Sequence, residues 1–183
     1  YAIGEIGQRL YAGRLGKPNL VEESVLREML SSASSSGETH RFSEQFVWTE
    51  WNNVVDAWQL DSWEEYRDVA RLGRKTRLGE KQRQVLWDIF KKVRENLAEN
   101  DLHTAASMFA CVTETLLENN NPPFEFAVVD EAQDIGVPEL RMLAALGASN
   151  PNGLFFAGDL GQRIFQPPFS CENEKSFKNV LFL

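Results

Sequence analysis

The chain has 183 residues, 43% hydrophobic and 25% charged, the makeup of a soluble globular protein with enough length to bury a core; this excludes disorder throughout. Its formal net charge of -8 excludes a surface that grips nucleic acid on every side, because neutralising phosphates requires Lys and Arg. No apolar run approaches the ~20 residues that span a bilayer, and no basic stretch followed by an apolar one opens the chain, so no membrane contact and a cytoplasmic location are expected.

The first two-thirds carry helical periodicity. Ile3, Ile6, Leu10 and Tyr11 repeat at helix spacing, as do Val21, Val25, Leu26, Met29 and Leu30 between residues 20 and 30. The serine-rich stretch 31–37 offers no apolar face and predicts a mobile loop or linker. From Phe42 onward, aromatics at Phe46, Trp48, Trp51, Trp58, Trp63, Tyr66, Trp87 and Phe90 are spaced as the core of helices packed on one another. Val85, Leu86, Ile89, Phe90, Val93 and Leu97 predict a long amphipathic helix over 80–97. A further helix over about 104–117 should stop at the Asn- and Pro-containing run 119–123. One local charge excess stands out against the acidic whole: Arg67, Arg71, Arg74, Lys75, Arg77, Lys81 and Arg83 face only Asp68 and Glu80.

The pattern then changes. Short apolar runs at 126–129 and 154–157 predict strands, and 138–146 predicts a helix, with Pro138 in its first turn and Gly147 as the residue that ends it. Strand, helix and strand within this length make a βαβ unit, which implies a parallel sheet; the unbroken apolar runs predict burial on both of its faces. The expected organisation is a mainly helical part, residues 1–121, followed by an α/β part, residues 122–183.

In a parallel unit both strands point the same way, so Asp130, Glu131 and Asp159 should leave the sheet at one carboxyl edge, where open α/β sheets bind ligands. Adjacent acids after a buried strand match a nucleoside triphosphatase, in which Mg²⁺ bridges the β- and γ-phosphates and is held by an acid here. Asp130 is placed for that role. Glu131, one residue on, is placed to orient and deprotonate the attacking water. Gln162 follows the second strand with an amide able to donate to phosphate and accept from water. The bland alternative, in which Asp130 and Glu131 merely cap a turn, explains neither their place after a strand nor the second motif.

The strings VVDEAQD, residues 128–134, and GDLGQRIF, residues 158–165, resemble motifs II and III of the UvrD/Rep/PcrA family of superfamily 1 DNA helicases. A DExxD pattern alone is common; followed one βαβ unit later by GDxxQxIF it is specific. The resemblance implies part of a RecA-like P-loop NTPase motor domain with a mostly helical inserted subdomain. It implies ATP and Mg²⁺ as cofactors, with Asp130 as the Walker B metal acid, Glu131 as the catalytic base and Gln162 as the coupling residue. Gln133, Asp134 and Asp159 would belong to the same nucleotide network. Phe165 would stack near a base of single-stranded DNA, a contact indifferent to sequence and worth ~1–3 kcal/mol per base. Cys171 stands where close relatives are expected to carry a second aromatic. The stretches AWQLDSWEEYRD, residues 57–68, and RLGRKTRL, residues 71–78, resemble the inserted subdomain of one bacterial branch, which would set Arg74, Lys75 and Arg77 against single-stranded DNA or a duplex junction; a solvated helix face is the alternative.

Full-length relatives imply a translocase of three-prime to five-prime polarity, with repair or recombination proteins as partners. No GxxxxGK[ST] loop occurs in the 183 residues, and the first residue, Tyr1, and the apolar end, 180–183, read as cuts in a longer protein. The chain alone is therefore expected to be inactive. Two other classes stay open: a degenerate helicase-like module that binds nucleic acid or protein without ATPase activity, and a P-loop ATPase with no nucleic-acid substrate. Cys111, Cys171, His40 and His103 show no metal or disulfide spacing.

Overall fold

The structure, a computed structural model, describes residues 1–36, 41–69, 77–119, 123–148, 150 and 152–158, and the backbone of 181–182. It is mostly helical, with one small parallel sheet. Seven α-helices run in the order α1 (Ile3–Leu15), α2 (Glu23–Ser35), α3 (Glu44–Glu50), α4 (Trp63–Asp68), α5 (Glu80–Glu99), α6 (Ala105–Asn119) and α7 (Val137–Gly147) among the described residues. Three strands, β1 (Ala127–Val129), β2 (Leu154–Phe156) and β3 (Leu181–Phe182), pair in that spatial order.

The chain divides into two compact units: residues 15–107 form one, and residues 1–14 together with 108–183 form the other. Contacts thus group α1 and most of α6 with the sheet, whereas the hydrophobic pattern of the sequence places the division after residue 121.

In the contiguous unit, the periodic apolar positions meet as expected. Trp51, Tyr66, Leu86, Ile89, Phe90 and Val93 are almost wholly buried, and Phe42, Phe46, Trp48, Trp58 and Trp63 pack partly buried around them. Tyr66 stacks on Trp87 at 5.7 Å between ring centroids and meets Phe90 edge-on at 5.8 Å, both favoured aromatic arrangements. Its hydroxyl donates to the carboxylate of Glu50, itself fully buried, at 3.0 Å. Local signals set the helix starts. Ser43 accepts from the Phe46 amide, Ser62 and Glu65 form a reciprocal capping box, and Thr104 accepts from the Ser107 amide at 3.0 Å. The backbone amides of Asp61 and Ser62 both donate to the Glu65 carboxylate and hold it below its ordinary range.

In this unit two features depart from expectation. The serine run is not a loop: α2 continues through Ser35, because Ala33 fits the core, and the Ser35 hydroxyl is satisfied within the helix by the Ser31 carbonyl at 3.0 Å. Burial of one small face outweighs the weak helix propensity of serine. Second, α3 passes directly into a π-helical turn, Trp51–Asp56, which periodicity does not distinguish from ordinary helix.

In the other unit, α1 lies so close to α6 that a Cβ on Gly7 would come within 3.0 Å of Met108 and Phe109 side chains. The sheet is parallel throughout, with Ala127, Val128 and Val129 opposite Leu154, Phe155 and Phe156. Gly136 precedes α7 and Pro138 lies in its first turn, as the sequence predicts for the proline. Gly147 does not end the helix as a left-handed cap; it is the last helical residue, and it is glycine because a Cβ there would lie 2.5 Å from Leu154 Cγ. The helix backbone at Gly147 packs directly on the Leu154 side chain. Burial of the sheet on both faces is not observed: Leu154 and Phe156 are buried, but their neighbours on the opposite face, Val128 and Phe155, are 75% and 40% exposed. Side chains alternate along a strand, and α7 packs against β2 where Gly147 meets the buried Leu154. The third strand falls in the apolar end 180–183, to which the sequence pattern assigns no element.

Candidate functional site

The parallel pairing of β1 and β2 brings their carboxyl ends together. The ladder continues beyond the strands: the Ala157 amide donates to the Val129 carbonyl at 2.8 Å, and the Ala132 amide donates back to the Ala157 carbonyl at 3.0 Å. The turn after β1 is therefore fastened to the chain leaving β2. Within that turn Asp130 and Glu131 are exposed, followed by a single 3₁₀ turn, Ala132–Asp134.

Glu131 has a left-handed backbone, φ 52° and ψ 41°, a conformation costing a non-glycine residue roughly 1–2 kcal/mol. Local bonds hold it there. Asp130 Oδ1 accepts from the Glu131 amide at 2.9 Å, the Asp134 amide donates to the Glu131 carbonyl at 2.9 Å, and Gln133 Nε2 donates to Glu131 Oε2. Strained backbone of this kind collects at functional sites, where surrounding bonds over-determine it. The reversal also sends Asp130 and Glu131 out of the sheet as exposed groups instead of continuing the strand.

Gln133 is 6% exposed, one of the few buried polar side chains among the described residues. It lies against Gly158, the first residue of the second motif: a Cβ there would collide with Gln133 Oε1 and come within 2.9 Å of the Ala132 amide nitrogen. Asp130, Glu131, Gln133 and Gly158 are thus gathered at one sheet edge. Asp134 is exposed beside them.

Mg²⁺ takes oxygen ligands and keeps several waters, so a protein site for it in a triphosphatase needs only one or two carboxylates plus substrate phosphates. The donor set agrees with that requirement. Asp130 commits one oxygen to the Glu131 amide and leaves its second without a partner among the described residues. No group of three or more His, Cys, Asp or Glu able to enclose a metal occurs among the described residues.

Asp159, Gln162, Phe165, Arg74, Lys75 and Cys171 lie outside the described residues. Of the basic cluster, Arg77 is exposed in the contiguous unit. Arg67 is paired with Asp68 at 2.8 Å, and Arg83 donates to the carbonyls of Tyr66 and Arg67, so it ties α5 to the end of α4. Sequence reasoning misses Gly158 as a steric partner of Gln133; the sequence marks it as part of a motif but gives no sign of the close approach.

No helix among the described residues is long and apolar enough to cross a membrane. No protein-family model, curated protein or solved structure matches the chain.

Proposed function

We propose that this chain supplies the metal-holding and water-activating side of the ATPase site of a DNA helicase or translocase resembling UvrD, Rep and PcrA. It would form part of a RecA-like motor domain with a mainly helical insertion. The observation that carries the reading is the pair Asp130 and Glu131, turned outward at the carboxyl edge of a parallel βαβ unit and pinned to the exit of the neighbouring strand.

Asp130 would hold Mg²⁺, which when bound neutralises charge on the β- and γ-phosphates of ATP. Glu131 would accept a hydrogen bond from a water and take its proton as the water oxygen bonds to the γ-phosphorus and the bond to the ADP oxygen breaks. Gln162, by resemblance, would report the γ-phosphate to the DNA site. The basic residues Arg74, Lys75 and Arg77 and the aromatic Phe165 would supply phosphate and base-stacking contacts to single-stranded DNA. The three-prime to five-prime polarity, the duplex junction and the repair or recombination partners follow from resemblance alone.

The test is DNA-stimulated ATP hydrolysis by the full-length protein. Glu131→Gln should lower kcat by about 10²–10⁴-fold, the usual contribution of a positioned general base, while ATP still binds. Undiminished hydrolysis by that variant overturns the assignment. A full-length protein that binds single-stranded DNA but never hydrolyses ATP would instead be a helicase-like binding module. A DNA affinity that falls steeply with salt separates either from an ATPase with no nucleic-acid substrate.

A further inference from the structure

We infer that Gln133 is the positioning residue for the Glu131 carboxylate, and that Gly158 is the contact through which the chain leaving β2 sets that position. The inference rests on the reading of Glu131 as the group that orients the attacking water.

Glu131 is exposed and carries a long, flexible side chain, so nothing in its own packing fixes where its carboxylate sits. Gln133 is the opposite. It is 6% exposed, two residues further on, and its amide donates to Glu131 Oε2. A hydrogen bond to a charged acceptor is stronger than a neutral one, and it originates from a side chain that burial holds still. The other end of the same amide, Oε1, occupies the space that a Cβ on Gly158 would need. The backbone on either side is locked as well, through Ala132 to Ala157 at 3.0 Å and Ala157 to Val129 at 2.8 Å. A displacement of the chain at Gly158 must therefore move Gln133, and with it the carboxylate. A buried glutamine serving only to fill space would explain neither the bond to Glu131 nor a glycine set against its Oε1.

The experiment measures ATP hydrolysis by the full-length protein and three variants. Gln133→Met keeps length and bulk but removes the donor. Gln133→Asn keeps a neutral amide but draws it back from the Glu131 carboxylate. Gly158→Ala leaves both side chains chemically intact and pushes Gln133 aside. Each should lower kcat by about 10–100-fold, the usual cost of losing a group that orients a metal-site residue, with KM for ATP unchanged. In a Glu131→Gln background, Gln133→Met should cause no additional loss, because both changes remove one function. Should Gln133→Met unfold the protein, seen as a lost thermal transition, the neutral and polar Gln133→Asn carries the same comparison.

Wild-type kcat in the folded Gln133 variants beside a dead Glu131→Gln overturns the positioning role and leaves the hydrolytic reading standing. A loss confined to KM, or a loss of full size in the Glu131→Gln background, overturns the positioning role in the same way. Wild-type kcat in Glu131→Gln itself overturns the hydrolytic reading instead.

Discussion

At the scale of single residues, the acids of this chain show how environment separates groups of the same chemistry. Glu131 is held by bonds at the surface, Glu50 is enclosed with a tyrosine hydroxyl, and Glu139 sits in the first turn of α7 where burial pushes its carboxyl above the ordinary 4.5. Glu139 makes a prediction of definite sign. An acid whose folded value is raised favours the fold fully below its ordinary value and loses that contribution as pH rises through the raised one. Glu139→Gln should therefore gain thermal stability relative to the parent on going from acid to neutral pH, with little difference at the acid end. Denaturation midpoints measured across that range check it; a parallel pair of curves would show that the Glu139 charge carries no penalty.

At the scale of elements, two glycines in helices should answer the same substitution with opposite signs. Gly147→Ala drives a methyl into Leu154 and should cost about 1–3 kcal/mol, the range for overpacking. Gly13, inside α1, has open space where a Cβ would stand, with nothing within 4 Å, and Gly13→Ala should stabilise by about 0.5–1 kcal/mol through reduced chain entropy. Urea unfolding of the two variants decides both. This contrast marks what is legible in the sequence. Periodicity locates the helices of the core, because repeated burial leaves repeated residues, and the two apolar runs locate the parallel βαβ unit and the acids that follow its first strand. It cannot locate features that depend on one close approach or on an override of propensity: the helical serines of α2, the π-turn after Glu50, the packing role of Gly147 and the Gln133–Gly158 contact. Nor can an unbroken apolar run reveal that Val128 and Phe155 are exposed, since the run reads alike whether one face or two are covered.

At the scale of the molecule, one unit is continuous in sequence and the other is interrupted by it. A continuous unit with its own buried aromatic centre should fold when made alone. A polypeptide of residues 15–107 is expected to show helical circular dichroism and a single cooperative transition in denaturant; a featureless loss of signal would mean that its core needs the rest of the chain. The way this unit is closed has a further consequence. Where the chain enters it, the Asn19 carbonyl accepts from the His103 amide at 2.8 Å, and the Val21 amide donates to the His103 carbonyl at the same distance, so entry and departure are clasped side by side. Joining the ends of a long flexible loop carries an entropic cost that grows with the logarithm of its length. Once that clasp has formed, the segments before and after the insertion meet as though joined by a short connection, and the order of assembly that costs least has the interior unit finished first.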